Sequence, residues 1–248
     1  MKKVIVIPAA GKGSRLNSDL PKIFTAIYQS KSIFDLIVEQ GTSHVEEIIL
    51  LLSPAGKEYF NLHIASYAPK NVHVWVQESA TGMFDAMNQL FESLLNRREE
   101  FHLIVQWGDQ PFCDAELHQT LFSDLNNFEV SVPLIWVSSP YVQFKLGSPL
   151  AVWESREGEK CDAFGFKDMG IFAFTRRAIE SAWPLYKINA PFGKVTGERN
   201  FVKFFETIRQ KVEIFWRLDQ PYYKAIGINT PEELIEANLF LNQKDQIH

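Results

Sequence analysis

Two cysteines in 248 residues, Cys113 and Cys161, far apart and in no CxxC or CxxH spacing, provide neither a disulfide framework nor a zinc site. Free thiols in a reducing compartment are the expectation. Positive charge is also short, with 25 Lys and Arg against 30 Asp and Glu, a net charge of −5. That balance argues against nucleic acid as a partner, so any phosphate ligand must be held by a local site. No apolar run is long enough to cross a membrane: the stretch 4–10 is short and broken by Pro8. A cytoplasmic protein without a membrane partner is expected. The six histidines show no ligand spacing, and no linker, repeat or low-complexity segment divides the chain.

What is present is a large apolar fraction, 46%, enough for one domain spanning 1–248. Its 20 phenylalanines and six tryptophans are scattered singly along the chain and read as core packing. Apolar runs at 4–7, 48–52, 72–76 and 103–107 read as strands buried on both faces. Between them, Ile33, Leu36 and Ile37 before Gly41, and Met83, Met87, Leu90, Phe91 and Leu94, follow helical spacing. Alternation of this kind predicts an α/β fold with a doubly wound, mostly parallel (mixed) central sheet. The segment 133–170, richer in Pro, Gly and Ser, predicts a small β-rich insertion suited to a substrate lid. Helical patterning resumes at 175–185 and 200–209, a strand is expected at 212–216, and a last helix starts at Pro231 with Thr230 and Glu233 as a capping box. The cluster Arg97-Arg98-Glu99-Glu100 reads as a solvated turn.

A glycine-rich turn follows the first strand, where an open α/β sheet places ligands. It is not the dinucleotide fingerprint GxGxxG, because Leu16 stands where the third glycine belongs, and the GxxxxGK[ST] phosphate loop is absent too. Gly11 and Gly13 leave backbone N–H groups free to face an anion, and Arg15 and Lys22 supply charge. Pro21 restricts how the Lys22 amine is presented. On these residues alone, a triphosphate site and a plain strand-to-helix turn with solvated cations are equally compatible.

The run Ala9-Ala10-Gly11-Lys12-Gly13-Ser14-Arg15, followed after six residues by Lys22, resembles the signature of sugar-1-phosphate nucleotidyltransferases, including the uridyltransferase domain of bacterial N-acetylglucosamine-1-phosphate uridyltransferases. Further landmarks recur in order across the chain: Gln77 and Gly82, Gly108-Asp109-Gln110-Pro111, Gly147, Gly197-Glu198 and Gly227-Ile228-Asn229-Thr230. The resemblance implies a Rossmann-like nucleotidyltransferase fold with a nucleotide-binding half, 1–132, and an acceptor-binding half, 133–248. It implies Arg15 and Lys22 as catalytic phosphate-binding cations, with Ala10, Gly11, Gly13, Gln77 and Gly82 around the nucleotide. Gly147, Asp168 and Glu198 are implied for the acceptor, and Asp109 and Asn229 as ligands of Mg2+. As turn residues, Asp109 and Asn229 also have a purely structural reading.

Departures from that family bear on the substrate. A Gly-Thr-Gly-His-Ala type stretch is replaced by Gly82-Met83-Phe84-Asp85-Ala86, and Asp168-Met169-Gly170 stands where the family has Asn-Thr-Gly. A carboxylate at 168 suits a hydroxyl-rich or cationic acceptor. The acetyltransferase half of the bifunctional relatives is expected to be absent. The expected partners are a nucleoside triphosphate and a phosphorylated small molecule, foremost a sugar 1-phosphate. Molybdopterin-cofactor or alcohol-phosphate cytidylyl transfer, and a nucleotide-binding regulator without catalysis, are the competing readings.

Overall fold

The computed structural model describes residues 1–11, 16, 20–78 and 82–245. Its first strand, β1 (Lys2–Pro8), is followed by a small hairpin of β2 (Ala26–Tyr28) and β3 (Lys31–Ser32), and by α1 (Ile33–Gly41). Next come β4 (Glu47–Leu52), α2 (Pro54–His63), β5 (Val72–Val76), α3 (Met83–Leu95), β6 (Phe101–Gln106) and α4 (Ala115–Asp124). The second half adds β7 (Val130–Ser138), β8 (Val142–Lys145), β9 (Ala151–Glu154), β10 (Phe164–Asp168), β11 (Ile171–Thr175), α5 (Arg176–Asn189), α6 (Phe204–Ile208), β12 (Ile214–Arg217) and α7 (Pro231–Asp245).

Ten strands form one mixed sheet in the order β5-β4-β1-β6-β11-β7-β10-β8-β9, with β12 also paired to β7. The pairs β5–β4, β4–β1 and β1–β6 are parallel, as buried apolar runs joined by helices require. From β6 onward the sheet turns antiparallel through β11, β7, β10, β8 and β9. The chain leaves β1 in one direction to β4 and β5, then returns to place β6 on the other flank of β1. That reversal opens a crevice beyond the carboxyl ends of β1 and β6, where a ligand can bind.

The sheet is covered on both faces. One core joins α3, α5 and α6 to inward-facing residues of β1, β4, β6 and β7; the other joins α1, α2, α4 and α7 to the opposite residues of the same strands. Phenylalanines that lie singly in sequence converge in the first core: Phe91 meets Trp183 edge-on at 4.9 Å, and Phe172 meets Phe205 at the same centroid distance. Helices α2 and α4, for which no periodicity was claimed, begin at Ser53 and Asp114, whose side chains accept from the third helical N–H group.

The break expected at 133 is not a break in the sheet. Strand β7 starts at Val130 in the main core, pairs there with β11, and pairs with β10 over 134–138. Strands β10 and β11 follow one another along the chain, separated by Met169-Gly170, and across that interruption their second partner changes from β8 to β6. The β-rich segment is thus a fork of the central sheet, and Asp168 stands at the fork. Arg97 is not on a freely solvated turn either: it makes two bonds to buried Glu47, at 2.6 and 3.0 Å, while Arg176 donates to the carbonyls of Leu95, Arg97 and Glu99 at the end of α3. Both thiols are free; Cys113 is buried, and that burial pushes its pKa up, so it offers no nucleophile.

Candidate active site

Three distant segments meet at the carboxyl edge of the sheet. The loop after β1 is tied to β4 by Ala9 N–H donating to Leu51 O at 2.8 Å, and to the loop after β6 by Gly108 N–H donating to Pro8 O at 3.3 Å. A Cβ on Gly108 would lie 2.9 Å from that of Ala9, so glycine permits the approach of the two loops. Ile228 N–H donates to Asp109 O at 2.8 Å and brings in the third segment.

Each functional side chain is anchored by its neighbours. Lys22 opens a 3-10 turn, Lys22–Phe24, whose Ile23 and Phe24 are buried in the second core, with Phe24 stacked on Tyr59 at 5.2 Å. Asn229 immediately precedes α7. Its N–H and that of Thr230 both donate to Glu233 Oε2, at 2.6 and 3.0 Å, and Glu233 N–H donates to Thr230 Oγ1, which completes the expected capping box. The Asp109 loop rests on a buried chain: His118 Nε2 bonds Gln106 Oε1 at 2.8 Å, and Gln106 Nε2 donates to Gln110 O at 2.7 Å. Because the Gln106 amide nitrogen is the donor in the second bond, its oxygen accepts in the first, and His118 carries its proton on Nε2. Gln110 itself is wedged between two glycines, since a Cβ on Gly170 or Gly227 would lie 2.7 or 2.6 Å from its side chain.

The result is a convergence of charge. Lys22 Nζ donates to Asp109 Oδ2 at 2.7 Å and to Asn229 Oδ1 at 2.8 Å, bridging residues 87 and 207 positions away. Asp109 Oδ1 is buried with no hydrogen-bond partner among the described residues. An oxygen pair already converging on a cation, with a further lone carboxylate oxygen beside it, fits the donor chemistry of Mg2+. No group of three or more His, Cys, Asp or Glu side chains suited to a metal occurs among the described residues, so two protein ligands plus substrate oxygens is the arrangement available.

A cleft of about 510 Å³ opens beside this point, lined by Asp109, Asn229, Trp107, Tyr141, Glu154 and Asp168, and by Glu198 and Phe201 from the segment between α5 and α6. Asp168 is 6% exposed and Glu154 2%; burial holds both carboxyl groups above their ordinary range. Asp168 Oδ1 accepts from Gly170 N–H at 2.8 Å, and Glu154 accepts from the amide of buried Asn200.

The other expected residues fall as follows. Gly13 and Arg15 lie outside the described residues, as do Lys12 and Ser14. Ala10 is buried and Gly11 exposed directly after β1. Gln77 follows β5, with its Nε2 buried and unpartnered among the described residues. Gly82, at φ 106°, precedes α3, and a Cβ there would sit 2.9 Å from Glu198 Oε2, so these two positions are neighbours across the cleft mouth. Gly147 lies exposed in the turn between β8 and β9 and does not line the cleft. Sequence reasoning did not single out Trp107, Tyr141, Glu154 or Phe201. For Glu154 the only trace is an acid closing the apolar run Ala151-Val152-Trp153.

A family model described as a MobA-like NTP transferase domain matches residues 5–176, from β1 to the start of α5. The chain belongs to the MobA-like NTP transferases. Among curated proteins, bifunctional protein GlmU of Clostridium botulinum is 23% identical over 255 residues, covering 98% of this chain and 53% of that protein. GlmU of Ruegeria is 32% identical over 116 residues, 47% of this chain and 25% of that protein. This NTP transferase thus spans about half the length of the curated relatives it matches along most of its own length. Among solved structures, a 4-diphosphocytidyl-2C-methyl-D-erythritol synthase from Anaerococcus prevotii shares the fold at a TM-score of 0.68 and 17% identity, over 97% of this chain and 98% of that one. A protein from Bacillus anthracis described as a glucose-1-phosphate thymidylyltransferase does so at 0.69 and 15%, over 96% and 94%. The fold class expected from sequence is therefore that of this MobA-like NTP transferase.

Proposed function

We propose that this nucleotidyltransferase moves a nucleoside monophosphate from a nucleoside triphosphate to a phosphorylated small molecule of the sugar 1-phosphate kind, releasing pyrophosphate. The observation that carries the reading is the meeting of Lys22, Asp109 and Asn229 at one point of the crevice between β1 and β6. A pure nucleotide binder has no need to gather a lysine cation and two metal-type oxygens beside a second, acidic cleft.

An acceptor phosphate oxygen attacks the α-phosphorus; a new P–O bond forms, the bond between the α-phosphorus and its bridging oxygen breaks, and pyrophosphate leaves with the electron pair. A phosphate monoester is ionised near neutral pH, so no general base is required and alignment carries the rate. Lys22, with Arg15 from the same loop, binds and stabilises the charge on the α-phosphate and the departing pyrophosphate. Asp109 and Asn229 would hold Mg2+, which when bound supplies charge neutralisation of the phosphates. Gln77, with Ala10, Gly11, Gly13 and Gly82, serves the nucleotide in the half 1–132. Asp168 and Glu198, which line the cleft, serve the acceptor in 133–248.

The test is a screen of the four triphosphates against a panel of phosphorylated acceptors, scored by Mg2+-dependent pyrophosphate release. One triphosphate should give acceptor-dependent release. No release with any combination would favour a binding protein instead.

A further inference from the structure

We infer that the acceptor carries a positively charged ammonium group at the end remote from its phosphate, as a free amino sugar phosphate or an amino-alcohol phosphate does. This rests on the transferase reading above and narrows its substrate class.

The cleft next to Lys22 is lopsided in charge. Among the described residues, five carboxylates line it, Asp109, Glu154, Asp168, Glu198 and Glu233, against two arginines. Asp109 belongs to the Lys22 cluster and Glu233 to the cap of α7. That leaves Glu154, Asp168 and Glu198 facing the cleft without a lysine or arginine ion pair closer than 3.9 Å among the described residues. Of the two arginines only Arg156 meets one of them, Glu154, at 3.9 Å. Arg199 lies over the rings of Phe84 and Phe192, at 5.0 and 5.5 Å, and donates to Lys187 O at 3.1 Å. Arg156, half exposed, reaches no closer than 3.9 Å to Glu154 and 3.7 Å to Glu157.

Two of the three carboxylates are buried, which penalises their charged form unless a cation or several donors accompany it. Burial raises the pKa of both Asp168 and Glu154, against the opposing pull of Lys167 and Arg156, and a further cation among them would favour their ionised forms. The remaining walls combine Met83, Val142 and Val202 with aromatic rings: Trp107 and Phe201 meet edge-on at 5.6 Å, and Tyr141, just before β8, has Lys167 Nζ 4.7 Å from its ring centroid. Aromatic faces with carboxylates form a setting for ammonium groups, both quaternary and protonated. The Lys22 end is cationic and the Asp168 end anionic, so the cleft is polarised in the sense a zwitterionic phosphate ester demands. A neutral sugar phosphate answers only one end of it.

Matched acceptor pairs test this in the intact protein with its preferred triphosphate and Mg2+. Glucosamine 1-phosphate is compared with glucose 1-phosphate and N-acetylglucosamine 1-phosphate, and phosphocholine and phosphoethanolamine with propyl phosphate, by kcat/KM for pyrophosphate release. In at least one series the ammonium-bearing acceptor should exceed its neutral partners by about ten-fold or more, and which series responds separates an amino sugar from an amino alcohol. Asp168→Asn and Glu154→Gln, checked for unchanged thermal midpoints, should each bring that ratio towards one, chiefly through KM. Neutral acceptors used equally well or better would overturn the inference while leaving the transferase reading intact. Absence of acceptor-dependent release throughout would overturn both. A ratio preserved in both folded variants would also overturn it, since the carboxylates would then not be what reads the ammonium.

Discussion

If Asp109 and Asn229 hold a divalent cation as proposed, it would compete with the ammonium of Lys22 for the same two oxygens, Asp109 Oδ2 and Asn229 Oδ1. On that reading Lys22 would exchange those oxygens for the phosphates of a bound nucleotide. Removing the ammonium therefore has opposite effects on two measurements. Lys22→Gln should abolish pyrophosphate release, yet bind Mn2+ in the nucleotide-free protein more tightly, by roughly ten-fold, the equivalent of about 1.4 kcal/mol of relieved competition. Asp109→Asn should lose both activity and Mn2+ binding. Titration of Mn2+ followed by electron paramagnetic resonance reads both variants; an unchanged affinity in Lys22→Gln would show that the amine does not guard the metal site.

At the scale of elements, the site depends on how secondary structures end. Asn229 is presented by the first turn of α7, and Glu233 holds the N–H groups of both Asn229 and Thr230. Thr230→Ala removes the reciprocal bond to Glu233 N–H and should cost about 1 kcal/mol of stability, read from the urea midpoint. The same variant should weaken Mn2+ binding, whereas a cap with no bearing on the site would change stability alone. The fork at Met169-Gly170 matters in the same way. Gly170 takes φ 70° and its O accepts from Trp107 N–H at 2.8 Å, so the fork sets one wall of the cleft against the end of β6.

For the whole molecule, stability should depend on pH through a buried histidine that supports the Asp109 loop. His118 is fully buried beneath the Asp109 loop, and burial, with the nearby His44, lowers its pKa to about 3 from 6.5. In the unfolded chain it takes up a proton below about 6.5, while in the folded protein it stays neutral until about pH 3. The unfolded state therefore binds more protons in that window, and stability present at pH 7 is lost as pH falls from 6.5 towards 3. His44, lowered by burial and by Lys3, acts in the same direction. The urea midpoint should drop between pH 7 and pH 5, and His118→Gln, less stable at pH 7, should show a smaller drop.

The parallel half of the fold was legible because buried strands write themselves as apolar runs: 48–52 and 72–76 coincide with β4 and β5 to within a residue. The cap of α7 was legible because capping is local chemistry over four residues. Lys22, Asp109 and Asn229 were nameable one by one through resemblance, but Ile228 N–H donating to Asp109 O, which brings two of them together, is a contact across 119 positions that no local pattern records. Asp168 was visible as an odd residue in its motif, and its place at the fork of the sheet was not. Residue types and their neighbours in sequence determined the parallel strands, the cap of α7 and, through the signature run 9–22, the resemblance to nucleotidyltransferases. Which side chains line the cleft was decided only by the tertiary structure, because Asp168, Tyr141 and Glu154 are brought together by the pairing of β10 with β7 and β8 and of β8 with β9, and Phe201 joins them from the segment before α6.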